Sequence, residues 1–309
     1  MSKDLKIVFM GTPDFAVASL DALVQEGYNI VGVITAPDKP AGRGLQLQQS
    51  AVKQYAVSKG LHVLQPEKLK NPEFLEALAA LKADLQVVVA FRMLPVAVWD
   101  MPPLGTINVH ASLLPNYRGA APINWAIING EKESGVSTFK LQHAIDTGNI
   151  LFSATVPIRE DETAGELHDA LMTTGADLLV KTVAGLVAGN IQETPQAHLD
   201  ESTLKHAPKI FKDDCKIDWN KPVTDIYNLI RGLSPYPAAW TVLNGKTLKI
   251  FKATKELSAH SATPGLVSTD HKTFLKFAAS GGYIAVEEIQ LEGKKRMKIQ
   301  EFLRGFRLQ

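Results

Sequence analysis

The sequence predicts an α/β sheet domain followed by a small β-barrel, and three observations carry that prediction. Strand-like apolar runs alternate with helix-period segments through the first 190 residues, the pattern of a sheet with helical crossovers. From residue 239 the texture changes to short β-rich segments punctuated by glycine, as in small barrels. Between the two, periodicity fades into the polar stretch Gln192-Glu193-Thr194-Pro195-Gln196, which reads as a connection. The expected division is 1–190, a linker over 191–208, and 209–309.

The elements follow in order. Residues 7–10 form a short buried strand. Thr12 is the expected N-cap of the next helix, with Pro13 at its first position. Ala16, Leu20, Leu23, Val24 and Gly27 then recur at helical spacing, a face suited to packing on a sheet. Residues 30–34 read as the second strand and 52–59 as a helix stopped by Gly60. Segments 62–64, 74–81, 85–90 and 105–110 continue the alternation, and 135–141 with 150–158 look like a later pair of strands. Thr163 and Glu166 make a capping box ahead of a long helix reaching about Ala188. In the C-terminal part a helix over 222–231 is broken by Gly232-Leu233-Ser234-Pro235-Tyr236-Pro237. Strands are expected near 239–243, 248–253, 265–268, 273–278 and 283–286, and a helical turn over 299–303 ends at Gly305.

Composition narrows the function. The 309 residues contain one cysteine, Cys215, so no intramolecular disulfide can form and a reducing cytoplasm fits best. No uninterrupted apolar stretch reaches bilayer length, so no membrane partner is expected, and no signal segment precedes the first strand. Charge is uneven. Residues 1–208 hold 16 Lys and Arg against 22 Asp and Glu, whereas 209–309 hold 17 against 10. A basic C-terminal part suits a polyanion, or simply complements an acidic neighbour.

The chemistry concentrates around residue 110. Asn108 and His110 end a strand two residues apart and so project from one face. A Pro- and Gly-bearing loop follows, where α/β sheets place ligands, and Asp146-Thr147-Gly148 offers a carboxylate in a turn. An amide donor, an imidazole and a carboxylate suit attack of an amine on an activated acyl group. The amide stabilises the oxyanion, a contribution of roughly 3 kcal/mol, and the imidazole donates to the intermediate. Ser112-Leu113-Leu114-Pro115 offers backbone groups and apolar surface for a flat heteroaromatic ligand. Arg118 is either a substrate contact or a loop-pinning ion pair.

Other chemistries lack their parts. Gly11-Thr12-Pro13-Asp14 misses the second and third glycines of a dinucleotide fingerprint. His110 and His143 have no partner at metal-ligand spacing, so no metal is expected. The Pro- and Gly-rich loop 36–48 is long enough to bind something, with Arg43 between two glycines able to reach a phosphate. A second basic cluster is Lys294-Lys295-Arg296.

On these residues the chain resembles the formyltransferases that use 10-formyltetrahydrofolate, in particular those acting on methionyl-tRNA. The resemblance spans nearly the full length. It covers Gly11 to Ala16, Pro37 to Gly44, Asn108 to Pro115, Tyr117 to Pro122, Asp146 to Gly148, Ile217-Asp218-Trp219 and Gly293 to Met297. It implies a Rossmann-like catalytic domain followed by an OB-like barrel, and formyl transfer from 10-formyltetrahydrofolate to the methionyl amine of initiator tRNA. It further implies a cytoplasmic monomer without a metal. Asn108, His110 and Asp146 match the catalytic positions, Asp146 being expected to hold His110, and Ser112, Leu113, Leu114 and Pro115 match the folate-contacting segment. Arg43, Lys295 and Arg296 match tRNA-binding positions. The chain departs from the family at Leu45-Gln46-Leu47-Gln48, where lysines are common, and at Ala90-Phe91-Arg92-Met93-Leu94-Pro95. A sugar-nucleotide amine as acceptor, or a non-catalytic tRNA-binding role, are the competing readings.

Overall fold

The computed structural model describes residues 4–41, 46–196 and 201–305. It divides into two units. The first contains residues 1–119, 135–156 and 169–205, and the second 120–134, 157–168 and 206–309.

The first unit is built on a seven-stranded sheet. Its strands are β1 (Lys6–Gly11), β2 (Asn29–Ile34), β3 (Val63–Leu64), β4 (Leu85–Val89), β5 (Thr106–His110), β6 (Glu133–Lys140) and β7 (Ile150–Pro157), in the order β7-β6-β5-β4-β1-β2-β3. Strands β1 to β5 pair in parallel, and β6 joins β5 antiparallel. The chain runs outward from β1 to β3, then returns to β4 on the other side. The order therefore switches between β1 and β4, where open α/β sheets bind ligands beyond the carboxyl ends.

Helix α1 (Asp14–Gln25) starts one residue later than its sequence suggests. Pro13 is the cap, and its carbonyl accepts from Ala16 N. Thr12 makes no cap because the chain stays extended through Pro13. Helix α2 (Ala51–Ser58) is capped instead by the Ser50 hydroxyl, which accepts from Lys53 N at 3.0 Å. Helix α3 (Pro72–Ala80) packs Phe74 and Leu78 with Val8, Met10 and Val88 in one apolar cluster. The short helix α4 (Val96–Trp99) adds Val98 to it.

Helix α5 (Pro122–Ile128) lies in the second unit, and helix α6 (Ala164–Ala188) has the expected capping box: Thr163 N donates to Glu166 Oε2, and Glu166 N to Thr163 Oγ1. Length and composition alone would let α6 cross a membrane, although Asp169, Asp177 and Lys181 interrupt its apolar run. Leu167, Leu171, Leu179 and Val183 are nevertheless fully buried, as in a core helix.

In the second unit, strands β8 (Ala239–Leu243), β9 (Lys246–Leu257), β10 (Val267–Thr269), β11 (Leu275–Ala279) and β12 (Gly282–Leu291) form an antiparallel sheet ordered β8-β9-β12-β11-β10, with β13 (Met297–Lys298) on β12. This is a curled half-barrel, with register shifts in β9 near Lys252, bulges that favour curvature. Helix α7 (Val223–Gly232) fills the concave side with Ile226, Tyr227 and Ile230, and helix α8 (Ile299–Gly305) adds Phe302 and Leu303. Trp219 stacks on Phe277 at 4.5 Å and donates to Thr241 Oγ1.

Candidate active site

Strand register decides which face carries the chemistry. Met10, Val88, Asn108 and Phe139 are successive partners across β1, β4, β5 and β6, so they form one row on one face. His110 lies two residues beyond Asn108 on the same face, paired with Ser137. The Phe139 ring meets the His110 imidazole edge-on at 6.5 Å. Amide and imidazole thus sit where β5 ends, next to the switch point of the sheet.

The Asn108 amide is half-buried and makes no hydrogen bond among the described residues. Its two N–H donors are therefore available to a ligand. His110 is differently placed: it is 7% exposed, and Nε2 lies 2.9 Å from the Tyr117 carbonyl. A carbonyl only accepts, so Nε2 carries the proton and Nδ1 is the free ring nitrogen. Nδ1 faces Asp146 Oδ2 at 3.9 Å, beyond hydrogen-bond range. The ring's hydrogen bond goes to Tyr117, and the aspartate expected to hold it stands beside Nδ1 at ion-pair distance.

Asp146 is itself held, because Oδ2 accepts from Gly119 N at 3.0 Å. Tyr117 and Asp146 both have left-handed backbones, φ +61° and +54°, a conformation costly for residues other than glycine. Gly148 completes that turn. A Cβ on it would stand 1.6 Å from the Lys140 carbonyl oxygen, so no other residue fits.

The loop after His110 is pinned from below. Ser137 Oγ donates to Ser112 O at 2.8 Å and accepts from Leu114 N at 3.0 Å, while Ser112 Oγ donates to Asn116 O. Ser112 and Leu114 are buried, and Leu113 and Pro115 are partly exposed. Ser112 therefore shapes the segment and has no hydroxyl to spare. Arg118 takes the structural of its two roles. It is 9% exposed and donates through Nε and Nη2 to Gln196 Oε1 at 3.3 and 2.9 Å. Gln196 had no sequence signal; it lies in the polar stretch read as linker. That stretch is folded: Thr194 pairs with Ile150, and Glu193 bonds Lys140 and Asn149. Those two bonds hold the Glu193 carboxyl below its ordinary range.

Around the site, Ala90 after β4 is left-handed (φ +47°), Arg92 donates to the Glu67 and Pro66 carbonyls, and Met93 is 74% exposed. Arg43 lies outside the described residues. Its loop springs from a hairpin, Lys39–Ala41 against Gln46–Gln48. At the base, Asp38 accepts from Lys53 Nζ at 2.5 Å and Gln65 Nε2 at 2.8 Å, bonds that hold its carboxyl below the usual range. In the second unit Lys295 is exposed, whereas Arg296 bonds Glu288 at 2.6 Å and lies over the Phe251 ring at 4.2 Å. No cluster of His, Cys, Asp and Glu among the described residues could hold a metal.

Residues 5–183 match the formyl transferase family, and residues 209–307 match the formyl transferase C-terminal domain. The chain belongs to the formyl transferase family. The methionyl-tRNA formyltransferase of Parabacteroides distasonis is 58% identical to this formyl transferase over 99% of this chain and 97% of its own length. That of Flavobacterium johnsoniae is 51% identical over 97% and 96%. Among solved structures, WlaRD, a sugar 3N-formyl transferase crystallised with dTDP and 5-N-formyl-THF, aligns with a TM-score of 0.66 at 20% identity, covering 94% of this chain and 99% of that one. HypX from Aquifex aeolicus, in complex with tetrahydrofolic acid, gives 0.66 at 18%, covering 97% of this chain and 47% of that one. At such identities these structures speak to the fold.

Proposed function

We propose that this formyl transferase moves the formyl group of 10-formyltetrahydrofolate to the α-amino group of methionine on initiator tRNA. The observation that carries this reading is agreement through both domains with relatives named for methionyl-tRNA. The site supplies matching chemistry. The neutral amine attacks the formyl carbon, and the carbonyl electron pair moves onto oxygen. Asn108 Nδ2–H donates to that oxyanion, and so does Nδ1–H of His110 in its doubly protonated form, Nε2–H staying on the Tyr117 carbonyl. Asp146 takes the proton released by the amine. Collapse breaks the bond to N10 of the folate, which takes up the proton passed on from Asp146 and leaves as tetrahydrofolate. No covalent enzyme intermediate is needed.

In this reading Leu113 and Pro115 offer apolar contact to the folate, with Ser112 and Leu114 shaping the segment beneath. Arg43, Lys295 and Arg296 contribute charge toward tRNA, Lys295 with the freer ammonium. The enzyme works as a cytoplasmic monomer; its one cysteine, Cys215, is a buried free thiol with no partner for a disulfide, which suits a reducing compartment.

The test is formyl transfer from 10-formyltetrahydrofolate to methionyl initiator tRNA, run beside methionyl elongator tRNA and a UDP-amino sugar. Turnover on the initiator alone supports the proposal. Turnover on the sugar alone overturns the acceptor and leaves the chemistry standing. Arg43→Ala should sharply reduce turnover on tRNA and leave folate binding intact; unchanged tRNA kinetics would remove Arg43 from the interface.

A further inference from the structure

We infer that Gln196 is a positioning residue that sets the catalytic Asp146 against His110. The inference rests on the formyl-transfer reading for its kinetic part only. Gln196 is 6% exposed, and its amide is fully used. Oε1 accepts twice from Arg118, and Nε2 donates to the carbonyls of Asp146 at 3.1 Å and Gly148 at 2.6 Å. Two donors and two acceptor positions are all that a side-chain amide has.

What it joins gives the amide its importance. Arg118 lies between Tyr117, whose carbonyl holds His110 Nε2, and Gly119, whose N–H holds Asp146 Oδ2. On the other side of the amide are the backbone carbonyls of the Asp146–Gly148 turn itself. One side chain therefore ties the segment that orients the imidazole to the turn that carries the carboxylate. Neither a carboxylate nor an apolar side chain could replace it: the first accepts from Arg118 but cannot donate to two carbonyls, and the second does neither. The left-handed Asp146 backbone is a conformation that needs such outside support. A displacement of about 1 Å in a catalytic group can lower rate on the order of 10²-fold.

The test uses Gln196→Met, which keeps volume, and Gln196→Glu, which keeps the Arg118 bonds alone. Each is made in the wild-type chain and in Asp146→Ala. We expect kcat to fall about 10²-fold in the wild-type background, with KM for both substrates within about twofold. In Asp146→Ala the same changes should cost less than about threefold, because the group they position is gone. Equal losses in both backgrounds, or losses confined to KM, would overturn the inference.

A second measurement needs no turnover. Amide hydrogen exchange at Gly119 reports its bond to Asp146 Oδ2, and exchange within β5 reports the integrity of the sheet. Both variants should speed exchange at Gly119 at least tenfold with β5 unchanged. Unaltered Gly119 exchange overturns the inference even in a variant too damaged to assay kinetically. If the wild type formylates no tRNA while Gly119 responds as expected, it is the proposed acceptor that fails and the positioning role that stands.

Discussion

Asn108→Ala should separate catalysis from stability more cleanly than any other change in the site. The amide is half-buried, and no group among the described residues bonds to it. Its removal therefore leaves no orphaned partner, and the folded state should lose no more than about 0.5 kcal/mol. For a chain of this size that is a melting shift of about 0.8 °C. In the proposed mechanism the same truncation removes a donor to the oxyanion, so kcat should fall roughly 10²–10³-fold. His110→Ala supplies the contrast, since the buried Tyr117 carbonyl loses its donor, at about 1–3 kcal/mol. The assay is single-turnover formyl transfer with both substrates saturating, so that the chemical step is read, beside thermal unfolding of each variant. An Asn108→Ala enzyme within threefold of wild-type rate would refute the oxyanion role. A loss of stability matching that of His110→Ala would refute the claim that the amide is unengaged.

Gly148→Ala places a methyl 1.6 Å from the Lys140 carbonyl oxygen, so the turn must shift by more than about 1 Å, and kcat should drop about 10²-fold; normal turnover would mean that the turn tolerates movement. Ser137→Ala strands the Leu114 N–H and Ser112 carbonyl, which should raise KM for the folate several-fold and cost about 1–3 kcal/mol of stability. Isothermal titration with the folate checks it, and unchanged affinity counts against the segment as a contact. The depressed Asp38 carboxyl should stabilise the fold fully above its unfolded value, near 3.9, and lose that contribution as pH falls through its lower folded value. Asp38→Asn should thus be less stable than wild type at pH 7 and equal to it in acid. Chemical denaturation at both pH values decides, and a gap that persists in acid would point to a steric cause.

Periodicity and punctuation make most of the fold legible in the sequence. Gly60 ends its helix as expected with φ +67°, and the Thr163–Glu166 box forms as written. The β-rich C-terminal texture was right in kind: the sheet curls as a half-barrel, with bulges near Lys252 and helix α7 packed on it. The polar stretch after α6 has a connection's composition, yet Gln196 within it is buried. Hydrophilic composition marks a linker only when nothing folded needs those polar groups, and Gln196 is needed twice over.

The chain alone determined that Asn108 and His110 share a face, because alternation along a strand is a property of the backbone. It also carried the resemblance that names a donor and an acceptor, and the absence of cysteine pairs. Tertiary structure decided everything that depends on groups distant in sequence or on main-chain atoms. Only there does a carbonyl at Tyr117 select the tautomer of His110, an N–H at Gly119 hold Asp146, and Arg118 turn out to be a strut. Side-chain identity is written in the sequence; a backbone donor or acceptor is the same at nearly every residue, and acquires a role only when folding aims it.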